Sequence, residues 1–266
     1  MLQFKPMEHR LELFLGQYPG SLFLISVVIP AKDEAGNIGP LINEICQALA
    51  STTPFEILVV DDGSSDNTAN EVLQTAEQNG CDARVIRHKR STGQSTAICT
   101  GVREAKGEYI VTLDADGQND PADIPAMIRL IPQMNSADFC IAGYRKHRKD
   151  TAWKRFQSRF ANRVRDALLH DGVPDTGCGL KLFPRASFLK LPYFNHMHRY
   201  IPALIRRMGG DVRISVVNHR DRQAGISKYT AWNRLWVGIV DILGVMWLIR
   251  RAKIAEIDSI EHSRRD

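Results

Sequence analysis

Cysteine is scarce and unpatterned in this chain. Five cysteines (Cys46, Cys81, Cys99, Cys140, Cys178) are scattered through 266 residues, odd in number and without a Cys-x-x-Cys. That argues against a disulfide framework or a zinc site, and predicts reduced thiols in a cytosolic compartment. Lys5, Glu8, His9, Arg10 and Glu12 come before any long apolar run, so no signal peptide is expected there. The phosphate-cradling glycine loops are missing too. No G-x-G-x-x-G follows the first apolar run and no G-x-x-x-x-G-K-[ST] occurs anywhere. A dinucleotide-binding or P-loop reading therefore lacks its backbone cradle. No internal repeat or low-complexity segment is visible.

What remains has ordinary globular proportions, with 44% hydrophobic and 24% charged residues. The length suits one large α/β domain or two small ones. The net charge of +5 is compatible with nucleic acid, anionic lipid or phosphorylated ligands. Where the charge sits matters more than its total.

The chain alternates apolar runs with helical periodicity. Leu22 to Ile29 is nearly continuous and β-branched, as in a parallel strand covered on both faces, and Pro30 ends it. Ile38, Leu41, Ile42, Ile45, Cys46 and Leu49 follow at helical spacing. Phe55 to Val60 reads as the second strand, Val72, Leu73 and Ala76 mark the second helix, and Ala83 to Arg87 is a short third strand. Gly93 to Ala105 is a third helix, and Glu108 to Leu113 the fourth strand. This order predicts a parallel, twisted sheet with right-handed crossovers.

Carboxylates follow the second and fourth strands: Asp61-Asp62-Gly63-Ser64, then Asp114-Ala115-Asp116-Gly117-Gln118. Ligands of open α/β sheets bind at the carboxyl ends of the strands. Two carboxylates spaced i, i+2 there suit a hard divalent cation, Mg²⁺ or Mn²⁺, that shares oxygen ligands with a substrate phosphate. An acidic turn capping the next helix fits the same residues. A carboxylate at the other strand end can accept from the N–H edge of uracil or guanine.

Pro30-x-x-x-Glu34, Val59-Val60-Asp61-Asp62-Gly63-Ser64 and Asp114-Ala115-Asp116-x-Gln118 together resemble the family-2 glycosyltransferases with a GT-A fold, and within them the polyprenyl-phosphate sugar synthases such as dolichol-phosphate mannosyltransferase. The resemblance runs from about Ile25 to Tyr229. It implies a nucleotide-sugar site of Pro30, Lys32, Glu34, Val59, Asp61, Asp114, Ala115, Asp116, Arg145, Arg222 and Lys228, with Asp116 and Gln118 on the metal. Lys32 stands where the family carries an aromatic residue. Arg222 and Lys228, in Arg222-Gln223-Ala224-Gly225-Ile226-Ser227-Lys228-Tyr229, match a loop that closes on the diphosphate. Asp175-Thr176-Gly177-Cys178-Gly179-Leu180-Lys181 is similar to the family's Asp-x-x-Ser-Gly-Phe-Arg, with Cys178, Leu180 and Lys181 as departures. Asp175, with Asp116, Arg222 and Lys228, makes up the implied catalytic set; capping a turn is its structural alternative.

Two further strands are expected, Asp138 to Gly143 and Asp211 to Asn218. Between Arg145 and Arg165 lie nine Lys or Arg residues and one acid, Asp150, with Phe156, Phe160, Val164 and Leu168 repeating every four positions. That pattern is an amphipathic helix with a cationic flank, which a solvated face would also satisfy. The resemblance assigns Lys154, Arg155 and Ser158 to the acceptor phosphate. Residues 235–249 are apolar except for Asp241 and two glycines, flanked by Trp232, Trp236, Trp247, Arg250, Arg251 and Lys253. A fifteen-residue helix spans about 23 Å, short of a bilayer core, and its flanks suit an interfacial helix. A core or oligomer-interface helix is the alternative.

The expectation is therefore an α/β, GT-A fold with a mostly parallel twisted sheet flanked by helices and a C-terminal amphipathic, membrane-associated helix. It divides into an extension (1–21), a catalytic domain (22–229), the helix (230–254) and a polar tail (255–266). The resemblance implies an inverting transfer from a UDP- or GDP-sugar to a polyprenyl phosphate at the cytoplasmic face of the membrane. A membrane surface, and a second copy of the chain, are partners compatible with it; nucleic acid is not. The alternatives are a carbohydrate hydroxyl acceptor, although the Arg-Trp pair of the processive polymerases is missing, or a non-catalytic nucleotide-binding module.

Overall fold

The computed structural model describes residues 23–146, 165–220 and 231–253. Seven strands form one sheet in the order β3-β2-β1-β4-β6-β5-β7. Strands β1 (Ile25–Ala31), β2 (Phe55–Asp61), β3 (Ala83–Arg87) and β4 (Tyr109–Thr112) are parallel. Helices α1 (Ile38–Leu49), α2 (Thr68–Asn79) and α3 (Gln94–Glu104) make the crossovers. Because β2 and β4 flank β1 on opposite sides, the chain reverses its direction of travel across the sheet at β1, the place where open α/β sheets leave a crevice.

The second half extends the sheet by a different route. Strand β6 (Lys181–Pro184) is antiparallel to both β4 and β5 (Phe139–Arg145), and β7 (Asp211–Val217) is parallel to β5. The carboxyl ends of β1, β2, β4, β5 and β7 and the start of β6 therefore share one edge. Short helices α4 (Ile124–Ile128), α5 (Arg185–Leu189) and α6 (Ile201–Arg207) were not legible as elements, and neither was β6. Each is too brief to show a period, and β6 begins on Lys and ends on Pro.

Apolar residues on the two faces of the sheet feed two cores. Ile25, Val27, Ile29, Ile57 and Val59 pack with α1, α2 and α4, while Val28, Leu58, Ile110 and Phe183 pack with α3 and α6. β1 continues through Pro30 to Ala31, two residues beyond the expected stop. Its pairing with β4 ends at Val28, so only β2 flanks it there, in register Pro30 to Val60.

The five-thiol expectation is corrected. Cys46 at the end of α1 is joined to Cys81, with Cα atoms 6.4 Å apart, and Cys99, Cys140 and Cys178 are free and buried. Thirty-five residues separate the pair in sequence, and the sheet order brings them together.

The C-terminal helix, α7 (Ala231–Arg250), has twenty residues, extending past both ends of the apolar run 235–249 and lying inside the expected 230–254. Among the described residues no helix is long and apolar enough to cross a membrane. Val245 is fully buried in the second core, while Ile239, Val240, Leu243 and Trp247 are exposed. His196 Nδ1 lies 3.1 Å from Asp241 Oδ2, and Arg207 Nε donates to the Leu248 carbonyl at 2.8 Å, holding the helix to the body.

Helix α3 sits directly on the sheet at Gly101, where a Cβ would lie 2.4 Å from Val28 Cγ1 and 3.2 Å from Val60 Cγ2. Gly101→Ala overpacks this contact. It is expected to cost about 1–3 kcal/mol, read from the urea midpoint at unchanged slope.

Candidate active site

The site is built from loops that leave one sheet edge. After β1 and β2 the chain turns sharply, and carboxylates satisfy the exposed backbone. Asp33, at a positive φ of 54°, accepts from Ser65 N–H at 2.9 Å. Asp66 accepts from Ala35 N–H at 3.0 Å, and Glu71 from Gly36 and Gly39 N–H at 2.7 and 3.0 Å. Glu34 accepts from the Asn37 amide at 2.9 Å, and its own N–H donates to Thr68 Oγ1 at 2.9 Å. Lys32 is exposed at the rim.

The adjacent Asp61 and Asp62 have separate tasks. Asp61 is buried; its Oδ1 accepts from Ser64 N–H at 2.8 Å and its Oδ2 from Arg87 Nε at 3.2 Å. Asp62, which the sequence reading gave no role, organises the loop before α3. It pairs with His88 Nδ1 at 2.8 Å, and accepts from Ser91 Oγ at 2.8 Å, Thr92 N–H at 2.9 Å and Gly93 N–H at 2.8 Å. Burial opposes its charge, but the hydrogen bonds from His88, Thr92, Ser91 and Gly93 outweigh it and hold the carboxyl well below the usual range. Val59 is fully buried, so a ligand would meet its backbone only.

Beyond β4 lies the acidic pair. Gln118 N–H donates to Asp116 Oδ1 at 3.1 Å, shaping the turn at Gly117 (φ 71°). Asp114 N–H donates to Asn119 Oδ1 at 3.2 Å, and Asp114 Oδ1 accepts from Gln94 Nε2 at 2.8 Å. A Cβ at Gly179 would lie 2.3 Å from Asp114 Oδ2, so the carboxylate occupies the room that a side chain there would need. Thr112 Oγ1 fixes this approach by donating to the Gly179 carbonyl at 2.6 Å. Burial first, and then the charge on Asp116, raise the Asp114 pKa to about 6; Lys181 and Arg145 pull the other way.

Lys181 opens β6 opposite Thr112, is buried, and donates from Nζ to the Cys178 carbonyl. Arg145, at the end of β5, forms a two-pronged pair with Asp175, Nε to Oδ2 at 2.6 Å and Nη2 to Oδ1 at 2.8 Å. Burial opposes the Arg145 charge, and Asp175 more than restores it.

Pro30, Val59, Asp61, Asp114, Ala115, Asp116, Gln118, Arg145 and Asp175 therefore share the edge that the sequence reading required. Lys154, Arg155, Ser158, Arg222 and Lys228 lie outside the described residues. Arg165 is buried: it donates to Thr176 Oγ1 at 2.5 Å and lies 3.3 Å from Asp171, so it belongs to the body and not to a cationic face. Sequence reasoning missed Gln94, the space-saving role of Gly179, and Arg220. Arg220 bridges Glu44 and Asp120 at 2.6 Å each and donates its N–H to the Gln118 carbonyl at 3.0 Å.

The donor set fits a hard cation. Among the described residues no group of three or more His, Cys, Asp or Glu side chains forms a ready-made metal cage. Asp114 and Asp116 instead repel each other, with burial adding to the cost of charge on Asp114. Such a set suits a Mg²⁺ or Mn²⁺ ion whose remaining ligands come from a bound diphosphate.

Comparison with known proteins bears on this arrangement. A family model described as Glycosyl transferase family 2 matches residues 26–191. A dodecaprenyl-phosphate galacturonate synthase of Rhizobium johnstonii is 34% identical over 231 residues, 85% of this chain and 67% of that protein. An undecaprenyl-phosphate 4-deoxy-4-formamido-L-arabinose transferase of Pseudomonas paraeruginosa is 32% identical, over 82% of this chain and 63% of that protein. The chain thus spans about two thirds of the length of the curated relatives it matches. Among solved structures, a glucosyl-3-phosphoglycerate synthase of Mycobacterium tuberculosis with Mg²⁺ and UDP superposes with a TM-score of 0.64 at 17% identity, covering 96% of this chain and 86% of that one. A mannosyl-3-phosphoglycerate synthase of Rubrobacter xylanophilus gives 0.63 at 18% identity, covering 97% and 83%. At these identities the likeness is one of fold, the α/β GT-A fold.

Asp114 binds its proton more tightly folded than unfolded, so its ionisation costs stability as pH rises from about 4 through 6. Without divalent cation, Asp114→Asn should raise the melting temperature at pH 7. Most of the gain should be gone near pH 4, where the folded Asp114 is protonated, as scanning calorimetry at the two pH values would show.

Proposed function

The chain belongs to glycosyl transferase family 2, and on that premise we propose that it moves a sugar from a UDP- or GDP-sugar to a polyprenyl phosphate, with inversion at the sugar. The observation that carries this reading is the convergence at one sheet edge of Asp61, the Asp114–Asp116 pair and the Arg145–Asp175 pair. The two relatives described above carry names that specify dodecaprenyl- and undecaprenyl-phosphate.

In this reading the nucleotide lies along the crevice beside β1. Asp61 meets the base edge, Pro30, Lys32, Glu34 and the Val59 backbone line its path, and Asp114 and Ala115 contact the ribose or sugar. Asp116 and Gln118 would hold Mg²⁺ or Mn²⁺, which when bound would supply positive charge at the diphosphate. Arg145 adds fixed positive charge on that side, and Arg222 and Lys228 are the cations that the family resemblance assigns to the same diphosphate. Cations already in place at a departing diphosphate need no rearrangement as the bond breaks.

The acceptor shapes the remaining chemistry. A phosphate monoester has a second pKa of about 6, so it reaches the site as an anion near neutrality. It needs positioning more than a general base, unlike a sugar hydroxyl. Lys154, Arg155 and Ser158 serve that end, and Asp175 orients the partners through Arg145. A lipid acceptor also calls for a membrane surface. The exposed Val240, Leu243 and Trp247 of α7, followed by exposed Arg250, Arg251 and Lys253, suit an anionic cytoplasmic leaflet. A second copy of the chain would meet the same apolar face.

The test is donor turnover with and without undecaprenyl phosphate. Turnover that needs the lipid and Mn²⁺, and that Asp116→Ala lowers by at least about a hundredfold, is the expected result. Equal turnover without lipid would remove the acceptor assignment, and full biological activity of Asp116→Ala would remove the enzyme.

A further inference from the structure

Gln94 is the first residue of α3, and its exposed side chain reaches back to the acidic pair. Its Nε2 donates to Asp114 Oδ1 at 2.8 Å, the one side-chain hydrogen bond it makes among the described residues. A primary amide has two N–H donors and a carbonyl that accepts twice. One donor is spent on Asp114, which leaves a second donor and the acceptor beside a carboxylate that cannot turn away. Gly179 blocks Asp114 on the Oδ2 side, and Asn119 holds its backbone.

The surroundings of Gln94 are built as a wall. Segment 193–198 is fastened along the first turn of α3. Tyr193 OH lies 2.8 Å from Thr96 Oγ1, and His198 Nδ1 lies 2.7 Å from Ser95 Oγ. Asn195 Oδ1 lies 3.8 Å from where a Cβ on Gly93 would be. Tyr193 and Asn195 are exposed, so the wall offers polar atoms beside Gln94. Of the two acids, Asp114 is the one that Gln94 meets.

We propose that Gln94 determines which sugar is transferred, by gripping one sugar hydroxyl jointly with Asp114. The hydroxyl donates to the Asp114 carboxylate and accepts from the second Gln94 N–H. A donor with no hydroxyl at that position, or with an anionic group there, loses the pair. This inference rests on the nucleotide-sugar reading above and adds the residue that discriminates within it.

The experiment compares nucleotides with their sugar-bearing forms. Calorimetric affinities of UDP, GDP, UDP-glucose, UDP-galacturonate and GDP-mannose are measured with Mn²⁺ for the wild type, Gln94→Ala and Gln94→Glu. The side chain is exposed, so Gln94→Ala is expected to stay within a few degrees of the wild-type melting temperature, and the melting temperature of Gln94→Glu is recorded beside its affinities. The expected result is that Gln94→Ala weakens the preferred sugar nucleotide about tenfold, leaves the bare nucleotide unchanged, and narrows the spread between sugars. Gln94→Glu, which sets a second carboxylate against Asp114, should weaken it further. Equal loss for bare and sugar-bearing nucleotides would make Gln94 a mere support for Asp114 and overturn the proposal, as would no loss at all. If the wild type bound none of the five, the nucleotide-sugar reading itself would fail, and that result is distinct from either outcome.

Discussion

Two carboxylates of like charge are held side by side at the end of β4, and the rest of the edge answers that repulsion. Asp114 cannot retreat, because the backbone at Gly179 closes its other side. Buried Lys181 supplies opposite charge from the next strand of the sheet, while the charge of Arg145 is engaged by Asp175. The balance left at the crevice is acidic. A divalent cation would relieve it. The raised pKa of Asp114 thus marks a carboxylate whose charge the surrounding protein does not fully offset, the kind of group that gathers where ligands bind.

The other acids of this edge do quieter work. Asp33, Asp62, Asp66 and Glu71 accept backbone N–H groups from neighbouring loops, replacing the ladder bonds that the chain gives up on leaving the sheet. Asp62 alone gathers three residues ahead of α3 and so sets where Gln94 begins. The walls of the crevice are positioned by charge on backbone amide as much as by apolar packing.

Much of this was legible in the amino-acid order. Continuous β-branched runs and helical spacing marked the first four strands and three helices, because each buries a full face and so carries a period. The Asp114-Ala115-Asp116 spacing pointed to the site, because strand ends at a parallel sheet edge converge whatever their separation in sequence. Strand β6 stayed hidden, since its four residues, Lys181 to Pro184, show no alternation. With it went the meaning of Gly179, which depends on a neighbour sixty-five positions away. Gln94 was equally silent: a Gln after a Gly at a helix start is common, and its partner is set by tertiary structure. The Cys46–Cys81 pairing likewise reflects the closeness of α1 and β3 across the first core, which no Cys spacing reveals.

The β4–β6 register has a consequence for how the chain reaches its native state. Lys181 stands opposite Thr112, and this alignment brings Gly179 to the Asp114 carboxylate. A slip of one position would present Cys178 or Leu180 there instead, and would turn Lys181 onto the opposite face. Neither side chain fits where even a methyl carbon collides. The contact that shapes the crevice therefore favours one strand alignment as well: either neighbouring register sets a side chain against the Asp114 carboxylate, which would have to move to admit it.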